Sequence, residues 1–127
     1  MSSGRRALLE PYRRPVGTAG SRPLLKGNQA MAFVQIIEFR TSDIEQARRA
    51  DDEWWRATEG KRTVRRELLA RDRSDSGRYF AVVFFDSYES AMENSALPET
   101  QAVAEQYSKM SDSPPVFYDL DILEDRA

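Results

Sequence analysis

The sequence predicts an α+β domain in which helices cover one face of a single four-stranded antiparallel sheet. Three observations carry this. From Met31 onward the pattern runs strand, helix, strand, strand, helix, strand; Tyr79–Phe85 is apolar at nearly every position; and the connections are too short for anything but neighbouring elements. A strand apolar on both sides cannot leave either face in water.

Phe33–Arg40 reads as the first strand, with Phe33, Gln35, Ile37 and Phe39 on one face and Val34, Ile36 and Glu38 on the other. Ser42 followed by Glu45 has the form of a capping box, and the helix it opens runs to about Thr58, where Gly60 stops it. Thr63–Arg71 is the second strand. The polar stretch Arg73–Gly77 turns the chain back into Tyr79–Phe85, forming a hairpin. Asp86 or Ser87 caps the next helix, Glu89 standing three residues after Asp86. Pro98 opens a second helical segment, where its missing N–H is harmless. Ser113-Pro114-Pro115 marks a loop, and Val116–Glu124 alternates as the last strand. The charged clusters Arg71-Asp72-Arg73 and Glu124-Asp125 read as solvated surface.

The helices cover one side of such a sheet, yet Phe80, Val82 and Phe84 lie on one side of the third strand and Tyr79, Ala81, Val83 and Phe85 on the other. The expected cover for the second side is the same face of an identical subunit, two sheets closing a barrel by two-fold symmetry. Loop and tail segments of the same chain are too polar for that role.

Composition narrows the chemistry. The chain of 127 residues is 40% hydrophobic and 31% charged, the size of one domain with one core. Without cysteine there are no disulfides, thiolate nucleophiles or Cys-type metal sites. Without histidine the usual metal ligand, general base and proximal haem ligand are missing as well. No metal and no bound cofactor are expected. No apolar run approaches the roughly 18 residues of a membrane span, and a cytoplasmic location is expected.

Charge divides the chain. Of the 19 basic and 21 acidic residues, residues 1–30 hold six basic residues and one acid, net +5; the remainder holds 13 basic and 20 acidic, net −7. The acidic remainder, residues 31–127, is not suited to a nucleic-acid backbone. Residues 1–30 carry Pro11, Pro15 and Pro23, with four glycines and no period, and read as a disordered basic arm. Two readings stand for it: an Arg-rich targeting peptide, or an extension from an early start codon with Met31 opening the domain, which is preferred. A twin-arginine export signal lacks its apolar region.

The element order, the segment RYFAVVFFDSYESAMENSALPETQAVAEQY (Arg78–Tyr107) and the closing VFYDLDILE strand resemble the dimeric α/β-barrel superfamily of ferredoxin-like domains, in particular antibiotic-biosynthesis-monooxygenase-like domains. The resemblance spans about Met31 to Glu124. It implies a fold more than an activity, since cofactor-free oxygenases, haem-degrading enzymes and isomerases share that shape. The haem-degrading branch implies Asn, Trp and His at positions that correspond here to Gln35, Asn94 and Val103, and none matches. The quinone-forming branch implies a pocket between helices and sheet lined by Asn, Trp, Tyr and Arg.

Six residues are candidates for such a pocket. Ile44, Ala47, Trp54 and Thr58 form an apolar stripe on the first helix, and Asp51 falls within it. Its functional reading is a desolvated acid or base; its structural reading is an ion pair with Arg48 or Arg66, a backbone contact, or a rim position. Trp54 and Trp55 could stack on a flat ligand, or serve as a core anchor and a dimer contact. Asn94, near the break at Pro98, could hold a substrate oxygen or simply terminate the helix. Gln35 needs a partner if buried, either ligand or protein. Tyr107, with Val103 and Met110 on an inward stripe, offers a phenol or ordinary packing.

The reading is a homodimer with one small apolar pocket per subunit. It would act as a cofactor-independent oxygenase or isomerase on a small hydrophobic, polyketide-type aromatic: Asp51 takes a phenolic proton, and Asn94 with Gln35 steadies oxygen charge. The alternative is a non-catalytic ligand-binding or structural homodimer.

Overall fold

The computed structural model describes residues 31–127, and the reading of residues 1–30 falls outside them. Seven elements follow in order: β1 (Phe33–Arg40), α1 (Ile44–Ala57), β2 (Arg66–Arg71), β3 (Arg78–Phe85), α2 (Tyr88–Ala96), α3 (Pro98–Met110) and β4 (Val116–Asp121). The four strands form one antiparallel sheet in the order β2-β3-β1-β4. This is the α+β, ferredoxin-like arrangement the pattern predicts.

Local chemistry sets the boundaries. Asp43, not Ser42, caps α1: its side chain accepts the Gln46 N–H at 3.2 Å, while its own N–H donates to Thr41 Oγ1 at 3.0 Å. Ser87, not Asp86, caps α2 by accepting the Ser90 N–H at 3.0 Å. Gly60 turns the chain after α1 at φ +84°, a conformation open to glycine at no steric cost. Pro98 stands in the first turn of α3 as expected. β2 begins at Arg66 rather than Thr63 because Thr63 bonds to α2 instead of the sheet: its N–H donates to Asn94 Oδ1 at 3.2 Å and its hydroxyl to the Ser90 carbonyl at 2.7 Å. β4 closes at Asp121, three residues early. Asp72 is not free surface either, since it accepts from Ser74 N and from Arg78 and so secures the hairpin.

Register places Phe33, Gln35, Ile37 and Phe39 opposite Phe85, Val83, Ala81 and Tyr79 on the helix-covered face. Two packed clusters sit at the ends of these rows. Phe33, Val83, Phe85 and Ala91 pack with Tyr88 and Met92 at one end; Phe39, Ala47 and Tyr79 pack with Tyr107 and Met110 at the other. The opposite face of β3, Phe80, Val82 and Phe84, is only half-buried, and beside it Leu68, Tyr118 and Leu120 are exposed at 40%, 42% and 45%. Among the described residues no helix is long and apolar enough to cross a membrane.

Candidate functional site

Between the two clusters the covered face is filled less completely. Ile37 stands opposite Ala81 there, and small side chains at Ala81 and Ala104 leave a cavity of about 130 Å³. Its wall is mostly apolar, from Ile37, Val83, Phe85, Val103 and Phe117, interrupted by Asp51, Glu67, Asn94, Gln35 and Tyr107.

Asp51 reaches the cavity because the inward stripe of α1, with Ala47, Ala50 and Trp54 buried, carries it there. None of the partners weighed for it from sequence holds it. Its partner is Glu67 on β2, a second carboxyl within hydrogen-bonding reach. Burial above all, then the neighbouring charge of Glu67 and the hydrogen bond between them, with a smaller contribution from Asp52, pushes the Asp51 carboxyl up to about 7. Burial also raises Glu67, against the opposing effects of hydrogen bonds from Trp55 and Asp51 and the charge of Arg62. Two carboxyls facing one another in low dielectric cannot both be ionised cheaply.

Trp54 and Trp55 take different parts. Trp54 is buried, lines the cavity, and donates its indole N–H to Thr100 Oγ1 at 2.9 Å, pinning α1 to α3. Trp55 is not among the lining residues; its indole N–H donates to Glu67 Oε1 at 2.6 Å. The two rings meet edge to face with centroids 5.7 Å apart. The Arg62 guanidinium lies 3.6 Å from the centre of a Trp55 ring and donates to the Trp55 carbonyl at 2.6 Å.

Asn94 is 6% exposed and lines the same cavity. The Thr63 N–H occupies its Oδ1, which fixes the orientation of the amide and leaves its NH2 end with no hydrogen-bond partner among the described residues. Tyr107 packs against Phe39, with ring centroids 5.4 Å apart, and turns its phenol to the cavity. Burial, then the charges of Asp51 and Glu67, raises that phenol, so it stays protonated and able to donate. Gln35 is buried and donates to Asp119 Oδ1 at 3.2 Å, so part of its hydrogen-bonding capacity is already committed to the protein. The structure thus brings Asp51, Asn94, Gln35, Trp54 and Tyr107 to one cavity, sets Trp55 behind it, and adds Glu67, which the sequence reading did not single out. The three positions at which the resemblance implied Asn, Trp and His, now Gln35, Asn94 and Val103, all line it.

Solved structures of the same shape come from several organisms. A protein from Mycobacterium tuberculosis superimposes with TM-score 0.63 at 15% identity, over 75% of this chain and 98% of that one. A structure described as an antibiotic biosynthesis monooxygenase gives TM-score 0.60 at 13% identity, over 74% of this chain and all of that one. The chain has the fold of the antibiotic-biosynthesis-monooxygenase-like proteins. A conserved protein from Methanosarcina mazei Go1 also has it, with TM-score 0.64 at 6% identity over 74% of this chain and 96% of that one. At these identities the likeness is one of fold. No protein-family model matches the sequence, and no curated protein matches it.

Proposed function

We propose that the domain is a cofactor-independent oxygenase-type enzyme for a small hydrophobic, ring-bearing substrate with an ionisable hydroxyl. The supporting observation is the pairing, in one apolar cavity, of a carboxyl pushed up to about 7 with a buried amide whose NH2 has no partner among the described residues. A general base works best with a pKa near the working pH; without histidine, a desolvated carboxyl is the group here that meets the condition. A cavity of about 130 Å³ admits a single aromatic ring without rearrangement.

In this reading Asp51 removes the hydroxyl proton, and the ring carbon conjugated to the oxyanion attacks dioxygen. The hydroperoxide that forms loses water across its carbon, leaving one oxygen as a new carbonyl and the other in the water. Asn94 Nδ2 and the Tyr107 hydroxyl donate to the oxygen that carries charge. Gln35, tied to Asp119, plays a smaller part than the sequence suggested. The names of structural neighbours as antibiotic biosynthesis monooxygenases point in the same direction. The test is a panel of phenols and hydroxyquinones, scored for binding by the fluorescence of the Trp54–Trp55 pair and for turnover by oxygen uptake. Turnover that falls about 10²–10⁴-fold in Asp51→Asn supports the reading. Turnover without oxygen uptake would indicate an isomerase, and binding without turnover a ligand-binding protein.

The apolar face formed by Ile36, Leu68, Val82, Phe84, Tyr118 and Leu120 favours a homodimer as the working unit, each sheet covering the other.

A further inference from the structure

We propose that Asp51 and Glu67 hold a single proton between them as one acid–base unit, and that Trp55 and Arg62 are positioning residues that keep the charge on Glu67 and the proton on Asp51. Both carboxyls line the cavity and lie within hydrogen-bonding reach of each other. They are not equivalent. Glu67 receives the Trp55 indole N–H at 2.6 Å, a donor that can only favour its ionised form. Behind that indole, the Arg62 guanidinium adds a positive charge that also acts on Glu67. Asp51 receives no such donor among the described residues, and the other charge that acts on it, the carboxylate of Asp52, disfavours its ionised form.

The consequence for proton transfer is specific. With the pair singly protonated, a substrate hydroxyl cannot simply hand its proton to a vacant Asp51. One Asp51 oxygen must pass its proton to Glu67 as the other takes the substrate's, so the substrate O–H and one Asp51 O–H break while a new Asp51 O–H and a Glu67 O–H form. The negative charge moves from the pair to the substrate, and the Trp55 donor resists the shift until Glu67 is protonated. This deepens the reading of the cavity as an active site, but it is a property of the resting protein and its test contains no substrate, so the two can fail separately.

The test is a pH titration of the side-chain carboxyl carbons by NMR in the full chain, labelled at Asp and Glu. In the wild type the Asp51 carbon should titrate near pH 7 and the Glu67 carbon should respond over the same range. In Glu67→Gln the amide oxygen still accepts from Trp55 while the like charge is gone, and the Asp51 midpoint should fall by about one pH unit or more. In Trp55→Phe the proton should redistribute: at pH 6 the Glu67 carbon moves toward its protonated position and the Asp51 carbon toward its carboxylate position. A purely structural Trp55 would leave the two carbons where they are. An Asp51 midpoint near its ordinary value in the wild type, or carbons that titrate independently, overturns the proposal. Should Glu67→Gln fail to fold, the wild-type and Trp55→Phe titrations still decide.

Discussion

Replacing Asp51 by Asn should make the protein more stable, by a margin that opens above about pH 4 and is complete above pH 7. The Asp51 carboxyl sits at about 7 in the folded chain against an ordinary value of 3.8. Because the folded value is the higher one, this group favours folding when protonated, and that contribution is lost as pH rises through about 7. At roughly 1.36 kcal/mol per pH unit the gap corresponds to about 4 kcal/mol. Residual solvent contact and relaxation of a half-buried group halve it to about 2 kcal/mol. Asn is isosteric, keeps a donor for Glu67 and carries no charge to desolvate.

Urea melts of wild type and Asp51→Asn at pH 5 and pH 8 measure this directly. At pH 8 the variant should exceed the wild type by about 2 kcal/mol, a midpoint shift of about 1 M for an m value of roughly 1–3 kcal/mol per M. The difference should narrow toward pH 5 and vanish near 4. There is no histidine to titrate in this window, and the carboxyls of Glu38, Asp72, Asp75 and Glu99 are all held below their ordinary values by their partners and change charge at lower pH; Glu67, itself raised by burial, is the group that responds together with Asp51. A variant less stable than the wild type at pH 8, or a difference that ignores pH, would refute both the shared burial of the two carboxyls and the role of Asp51 as a base.

Sedimentation at micromolar concentration should give twice the 14.6 kDa chain mass; Phe84→Asp, on the uncovered face, should yield monomer or aggregate, and a monomeric wild type would end the barrel reading. Asn94→Ala should cost about 1–3 kcal/mol, because the Thr63 N–H loses its buried acceptor, and should weaken binding of any oxyanion-forming ligand; an unchanged melt would mean that water replaces the amide. Haem should not bind tightly, since Val103 stands at the position where the resemblance implies an iron ligand; a sharp Soret shift at micromolar haem that persists in Tyr107→Phe would contradict this.

The sheet was legible because alternation and two-sided apolarity are local properties. Phe33–Arg40 and the opposed rows of β3 follow from a period of two residues, and Pro98 from its missing N–H. The cap of α1 moved by one residue, from Ser42 to Asp43, whose N–H Thr41 draws, whereas the open choice at α2 falls to Ser87, which reaches Ser90. Asp51 stood out as a carboxylate on an apolar helix stripe. Glu67 did not, because β2 is an edge strand of mixed character, and its inward face appears only once the hairpin register is known: Arg71 opposite Tyr79 sets Glu67 opposite Val83. Counting back from the Arg73–Gly77 turn would have found it. What no local pattern contains is that α1 and β2 meet so as to bring the two carboxyls together.

That meeting explains how a chain without histidine can manage protons near neutrality. A single exposed carboxyl stays near 4, and burial alone raises it only at the cost of an isolated charge whenever it ionises. Setting a second carboxyl beside the first gives the ionised state a hydrogen-bond donor, while like charge keeps the remaining proton bound to higher pH. Both effects depend on the low dielectric of the cavity, whose apolar wall is completed by Val103 on α3 and Phe117 on β4. Any motion of α3 that admits water would therefore lower the Asp51 value and release its proton, and a hydrophobic ligand that excludes water would raise it. A ligand that buries its ring in this cavity should accordingly take up protons on binding at pH 7 to 8, which calorimetry in two buffers of different ionisation enthalpy would detect. Binding with no proton uptake would mean that the pair is already shielded in the empty cavity and does not sense its occupant.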